Sequence, residues 1–124
     1  MPIVQVEALP QAPGVEVEQA LARLCGEAAA LLGEEPSGTW ATWRTLEHYV
    51  EGSDAPSTQP PSTHPPLVRL IAYRGREPDV VAELLRLVAE VLARELRLEQ
   101  GNVFVLYEEA QPGRLYTGGE VVAR

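Results

Sequence analysis

Residues 66–96 read PLVRLIAYRGREPDVVAELLRLVAEVLAREL, and this stretch decides the fold. A proline opens a run, Leu67 to Tyr73, with the apolar and β-branched content of a strand. Glu77-Pro78-Asp79 then forms a helix start, with proline near the first helical position and an acid in the first turn. Val81, Leu84, Leu85, Val88, Leu92 and Leu96 follow as one helical stripe. Asn102 to Tyr107 returns to strand character, and Gly118-Gly119 permits a tight bend beside a short terminal strand.

The same order stands earlier in the chain. Pro2 to Leu9 is a proline-led strand in which Val4 and Val6 alternate with Gln5 and Glu7. Pro10 to Gly14 turns, and Val17, Ala20, Leu21, Leu24, Ala28, Leu31 and Leu32 line one helix face, stopped by Gly33 and Pro36. A second strand is predicted from Thr39 to Val50. A shift of 64 residues places Pro2 on Pro66, Val17 on Val81, Leu21 on Leu85, Trp40 on Phe104 and Trp43 on Tyr107. One offset matching strand, helix and strand implies an internal duplication. The expected architecture is α+β: one domain over residues 1–124, with β-α-β units at 1–50 and 66–124 and a proline-rich linker at 51–65. That linker is long for a structureless loop, and an ordered extended path along the surface is the alternative.

Right-handed crossovers place both helices on one face of a four-stranded sheet. The other face, read as carrying Trp40, Trp43, Phe104 and Tyr107, then needs covering, which favours a homo-oligomer. Arg69 is expected at an outward or edge position on its strand.

Charge and cysteine content narrow the function. Net charge is −8 with every basic residue an arginine, which argues against nucleic acid or an anionic membrane as partner. A small anion can still be held by a local arginine cluster. Cys25 is the single cysteine, so no intrachain disulfide forms, and its helical setting reads as a small buried hydrophobe. No apolar run approaches the roughly 18 residues of a membrane helix, and the expected location is the cytoplasm. His48 and His64 lack metal-ligand spacing, and no metal or organic cofactor is expected.

Pro2 is the most informative residue. Removal of Met1 would leave a secondary amine at the start of a strand, able to take a proton from carbon beside a carbonyl or, protonated, to donate one. A start-of-strand proline with no chemistry is the plain alternative. Pro66 lies within the chain and cannot be a base. Arg74 and Arg76 flank Gly75 before the second helix, where guanidinium forks suit a carboxylate, though solvated loop arginines would give the same R-G-R. Tyr107 and Tyr116 can donate hydrogen bonds into a pocket or simply pack.

The opening MPIVQVEAL and the second half, through its terminal G-G-E, resemble the tautomerase superfamily, which includes 4-oxalocrotonate tautomerase, malonate semialdehyde decarboxylase and the 3-chloroacrylic acid dehalogenases. The resemblance implies a tautomerase/MIF-like fold, a trimer for a duplicated chain, and Pro2 as catalytic amine. It places Arg76 on the substrate-carboxylate arginine and pairs it with Arg74. The equivalent position in the first unit is Ala12. Phe104 stands where short tautomerases carry a second arginine, and Leu115 where they carry a pocket phenylalanine. No acid occupies Ser37 or Gly38, the place of the decarboxylase aspartate, and Glu108, Glu109 and Glu120 are what remains for a dehalogenase glutamate. The implied activity is keto-enol tautomerisation of a small carboxylated molecule. Decarboxylation, or hydration and dehalogenation, at the same proline is one alternative, and a non-catalytic structural or anion-binding protein is the other.

Overall fold

A computed structural model describes residues 2–56 and 64–123. Met1 and residues 57–63 of the expected linker lie outside the described residues.

Strand β1 (Ile3–Ala8) leads into helix α1 (Val17–Leu32) and strand β2 (Trp40–Thr45), and β3 (Leu67–Tyr73), α2 (Pro78–Leu96) and β4 (Phe104–Ala110) repeat that order. The 64-residue offset extends to detail. The 3-10 turn Pro36–Gly38 before β2 has its counterpart in Gln100–Asn102 before β4. Trp40 N–H donates to the Pro2 carbonyl at 3.0 Å, and Phe104 N–H donates to the Pro66 carbonyl at 3.1 Å. The strands lie in the order β2-β1-β3-β4, parallel within each unit and antiparallel where β1 meets β3. Gln5 pairs with Arg69, its own counterpart, so the units are related by a two-fold passing between these residues.

Period-two alternation builds the core. Val4, Val6 and Ala8 on β1, and Val68, Leu70 and Ala72 on β3, are buried against the helices. Leu24 and Ala28 of α1 and Leu84, Val88 and Leu92 of α2 close over them. The two helices pack on one another and on β2 and β4, so one sheet face is covered by the chain itself.

Several expectations change. The strand expected at 39–50 ends at Thr45, and β4 begins at Phe104 because Gln100–Asn102 is taken into the 3-10 turn. Trp40 and Trp43, and likewise Phe104 and Tyr107, fall on opposite faces. Trp43 pairs with Val6 and Tyr107 with Leu70, which turns both toward the helices, where they pack against the core. Trp40 and Phe104 remain on the open face at 47% and 51% exposure. Arg69 points outward, as expected, from the central strand β3. Cys25 is only partly buried, and desolvation raises its thiol pKa, which favours the protonated form.

Beyond β4, Tyr116–Thr117 (β5) and Glu120–Val121 (β6) form a two-stranded hairpin. Its turn residues Gly118 and Gly119 have φ of 63° and 87°, as a two-residue hairpin with both centres left-handed requires. Part of the proline-rich stretch is ordered: Glu51 bridges to Asp54 and accepts hydrogen bonds from the Tyr49 hydroxyl at 2.9 Å and the His64 backbone at 3.0 Å. No helix among the described residues is long and apolar enough to cross a membrane.

Candidate active site

Antiparallel pairing of β1 with β3 decides what surrounds Pro2. Ile3 lies opposite Ile71, so the start of β1 meets the end of β3 and the turn that follows it, Arg74 to Glu77. The end of α1 arrives at the same end of the sheet, because β2 must start beside Pro2 to run parallel to β1. Pro66 occupies the equivalent place at the opposite end. The two proline positions therefore cannot share a site within one chain. Pro2 itself is buried.

Arg76 is the best-fixed cation of this end. Its side chain is 16% exposed, Nη2 lies 3.1 Å from a Glu34 carboxylate oxygen, and Nη1 is buried with no hydrogen-bond partner. Glu34 is delivered by the end of α1. Gly33 adopts a left-handed φ of 67° that turns the chain, and the Glu34 N–H donates back to the Ala29 carbonyl at 2.9 Å. Gly75, at φ 107°, makes the matching turn after β3, and its N–H donates to a Glu109 carboxylate oxygen at 3.4 Å. Tyr107 reaches toward α2 with its hydroxyl oxygen buried and unpartnered. Arg76, Tyr107 and Glu109 line one cleft of about 630 Å³, whose apolar wall is Val81, Ala82 and Leu85.

The five sequence candidates are thus not one cluster. Pro2 and Arg76 share an end of the sheet, and Arg76 and Tyr107 share a cleft. Arg74 is exposed and lines a separate cleft of about 350 Å³ with Tyr73 and Leu115. Tyr116 is 68% exposed on β5 and lines neither cleft. Sequence reasoning passed over Glu34. An acid following a helix-stopping glycine carries no local signal that a guanidinium 42 residues away will meet it.

The open sheet face carries a groove of about 520 Å³ that includes none of the five. There Arg69 donates to both oxygens of Glu108, at 3.0 and 2.8 Å, and to Gln5 at 3.4 Å. These bonds hold the Glu108 carboxyl below its ordinary pKa and raise that of Arg69. The rest of the groove is mixed: Glu7, Thr42 and Arg44 line it beside Phe104 and Leu106, which are half exposed. Among the described residues, no group of three or more His, Cys, Asp or Glu is placed to hold a metal ion.

Two β-α-β units about a central antiparallel strand pair, with both helices on one face, define the fold of the tautomerase superfamily, and this chain has that fold. Among solved structures it is similar to native fused 4-OT, with a TM-score of 0.82 at 17% identity over 96% of this chain and 94% of that one. A fused 4-OT solved as an asymmetric trimer gives 0.81 at 18% identity, covering 96% and 94%. A member of the cis-3-chloroacrylic acid dehalogenase family gives 0.69 at 18% identity, covering 97% and 82%. No family model matches the sequence, and no curated protein matches it.

Proposed function

We propose that the chain is a single tautomerase-like domain that, once Met1 is removed, uses the Pro2 amine to move a proton between carbon and oxygen of a small carboxylated keto or enol acid. The observation that carries this reading is that β1 begins at the end of the sheet from which the turn bearing Arg76 departs, with Arg76 Nη1 buried and without a partner. An unused guanidinium donor suits a carboxylate, and burial of an amine favours its neutral, basic form. In the reaction the amine takes the proton from carbon beside the carbonyl, charge gathers on the oxygen, and the proton returns to the other atom of the enol pair. Arg76 would hold the carboxylate, and Tyr107, which lines the same cleft, would donate to the developing oxyanion. No metal or organic cofactor enters this reading. We place the protein in the cytoplasm, as a homotrimer that covers the open sheet face. Fused 4-OT proteins solved as trimers share the fold and support that assembly.

The test combines intact mass of the natively expressed chain with ketonisation of phenylenolpyruvate. Loss of Met1 and a fall of at least about 100-fold in Pro2→Ala are expected, the usual scale of a positioned proton-transfer group. Retained Met1 makes the Pro2 nitrogen an amide and removes the mechanism. The same arginines would then serve a small-anion-binding protein, the second reading.

A further inference from the structure

We propose that the Thr39 hydroxyl becomes the hydrogen-bond partner of the Pro2 amine once Met1 is removed, which makes Thr39 a positioning residue for the proton transfer. The inference rests on the reading that Pro2 becomes the amino terminus. β2 runs parallel to β1 with Trp40 against Ile3, and the Trp40 N–H donates to the Pro2 carbonyl at 3.0 Å, so Thr39 stands abreast of Pro2. Thr39 is extended, at φ −110° and ψ 125°. Val4 and Ala41, each two residues further along, pack on the helix side of the sheet, and alternation turns Pro2 and Thr39 to that same side. Both are buried, Thr39 at 4% exposure.

The Thr39 hydroxyl is left over by the fold. The backbone N–H closes the 3-10 turn on the Pro36 carbonyl at 3.0 Å, but Oγ1 is buried and has no hydrogen bond. A hydroxyl in that state works against stability. Nor does the architecture need it. At the repeat offset of 64 residues the place is held by Val103, whose N–H closes its own turn on Gln100 at 3.2 Å and whose φ and ψ are −81° and 123°. Phe104, the next residue, donates to Pro66 as Trp40 does to Pro2. Threonine and valine have nearly the same shape and differ in the hydroxyl. The hydroxyl therefore stands beside the proline that can become an amine, and a methyl beside the one that cannot. Removing Met1 creates a polar nitrogen abreast of this unused oxygen. A protonated amine has two N–H donors, one for Thr39 and one for the substrate, and a neutral amine has a lone pair to which the hydroxyl can donate. The bond to the charged form is the stronger, so its net effect favours the protonated amine.

Nitrogen-15 NMR of the full-length processed protein, labelled at proline, reads the Pro2 amine directly. In Thr39→Val its titration midpoint should fall by about 0.5–1 pH unit, the scale of one net hydrogen bond. Thr39→Ala should lower it likewise, and Thr39→Ser should keep the wild-type midpoint. The rising limb of kcat/KM against pH for ketonisation should move with the amine. Tyr73, Arg74, Arg76 and Glu77 after β3, and Glu34 and Glu35 after α1, are the titratable and charged residues of the segments reaching this end of the sheet. All are common to these proteins, so the difference between variants reads the hydroxyl. Thermal unfolding confirms that each variant is folded, as Val103 at the equivalent place leads one to expect. An unchanged or higher midpoint in both Thr39→Val and Thr39→Ala overturns the proposal, as does a Thr39→Ser midpoint that falls with them, or a natively expressed chain that shows no proline amine. Failure of the proton-transfer reading is distinguishable: Pro2→Ala would keep its ketonisation rate while the midpoint still shifted in Thr39→Val.

Discussion

Tyr107 brings a phenol oxygen into the protein without giving it a partner. A buried donor left unpaired costs about 1–3 kcal/mol, so a hydroxyl at this place works against stability unless a ligand uses it. Tyr107→Phe should therefore keep or raise the midpoint of thermal unfolding while slowing ketonisation. A lower midpoint with unchanged rate would assign the hydroxyl to structure alone. The exposed ion pairs have a consequence of their own. Glu108 is held below the ordinary carboxylate pKa by its bonds to Arg69, and Glu95 by its bonds to Arg94 and Arg23. With the folded-state values depressed, this stabilisation is complete above the unfolded value of about 4.3 and is lost as pH falls through the folded values. Urea midpoints should accordingly hold from neutral pH to about 5 and decline below about 4. In Glu108→Gln part of that decline should disappear.

The elements end in chemically different ways. α1 closes on Gly33, for which a left-handed φ carries no steric penalty, whereas α2 closes on Arg97 at φ 60°. A side-chain-bearing residue there costs about 1 kcal/mol. Arg97→Gly should therefore stabilise the fold by roughly 0.5–1 kcal/mol in equilibrium urea unfolding, less what the Arg97 guanidinium gains from lying over Gly14. Destabilisation would show that this contact outweighs the backbone strain. The charged belt joining the helices, in which Arg23 pairs with Glu95 and Arg94 with Glu27 and Glu95, spans the two repeats on the side away from the sheet. Being exposed, it contributes less to that packing than Leu24, Leu84 and Leu92 beneath it.

At the scale of the whole molecule, the chain covers one face of its sheet and leaves the other open. The open face joins half-exposed Trp40, Phe104 and Leu106 to the Arg69–Glu108 pair near the internal two-fold. Such a mixture suits association better than a free surface. Sedimentation analysis should give a trimer for wild type, and Phe104→Glu should dissociate it by placing a charge on the apolar part of that face. A wild-type monomer at micromolar concentration would count against the assembly.

Local pattern alone determined the kinds and order of elements, the repeat at 64 residues and the placing of Pro2 at a strand start, because each depends on periodicities that a short window contains. Alternation also separates Trp40 from Trp43 and Phe104 from Tyr107, but which of each pair turns inward waits on the register against β1 and β3. The Glu34–Arg76 pair is further still from sequence. It requires α1 to end, by a left-handed glycine, at the end of the sheet where the antiparallel β1–β3 pairing has brought the turn after β3. Tertiary structure alone decided that meeting, since two charges 42 residues apart interact only after packing has brought them within reach.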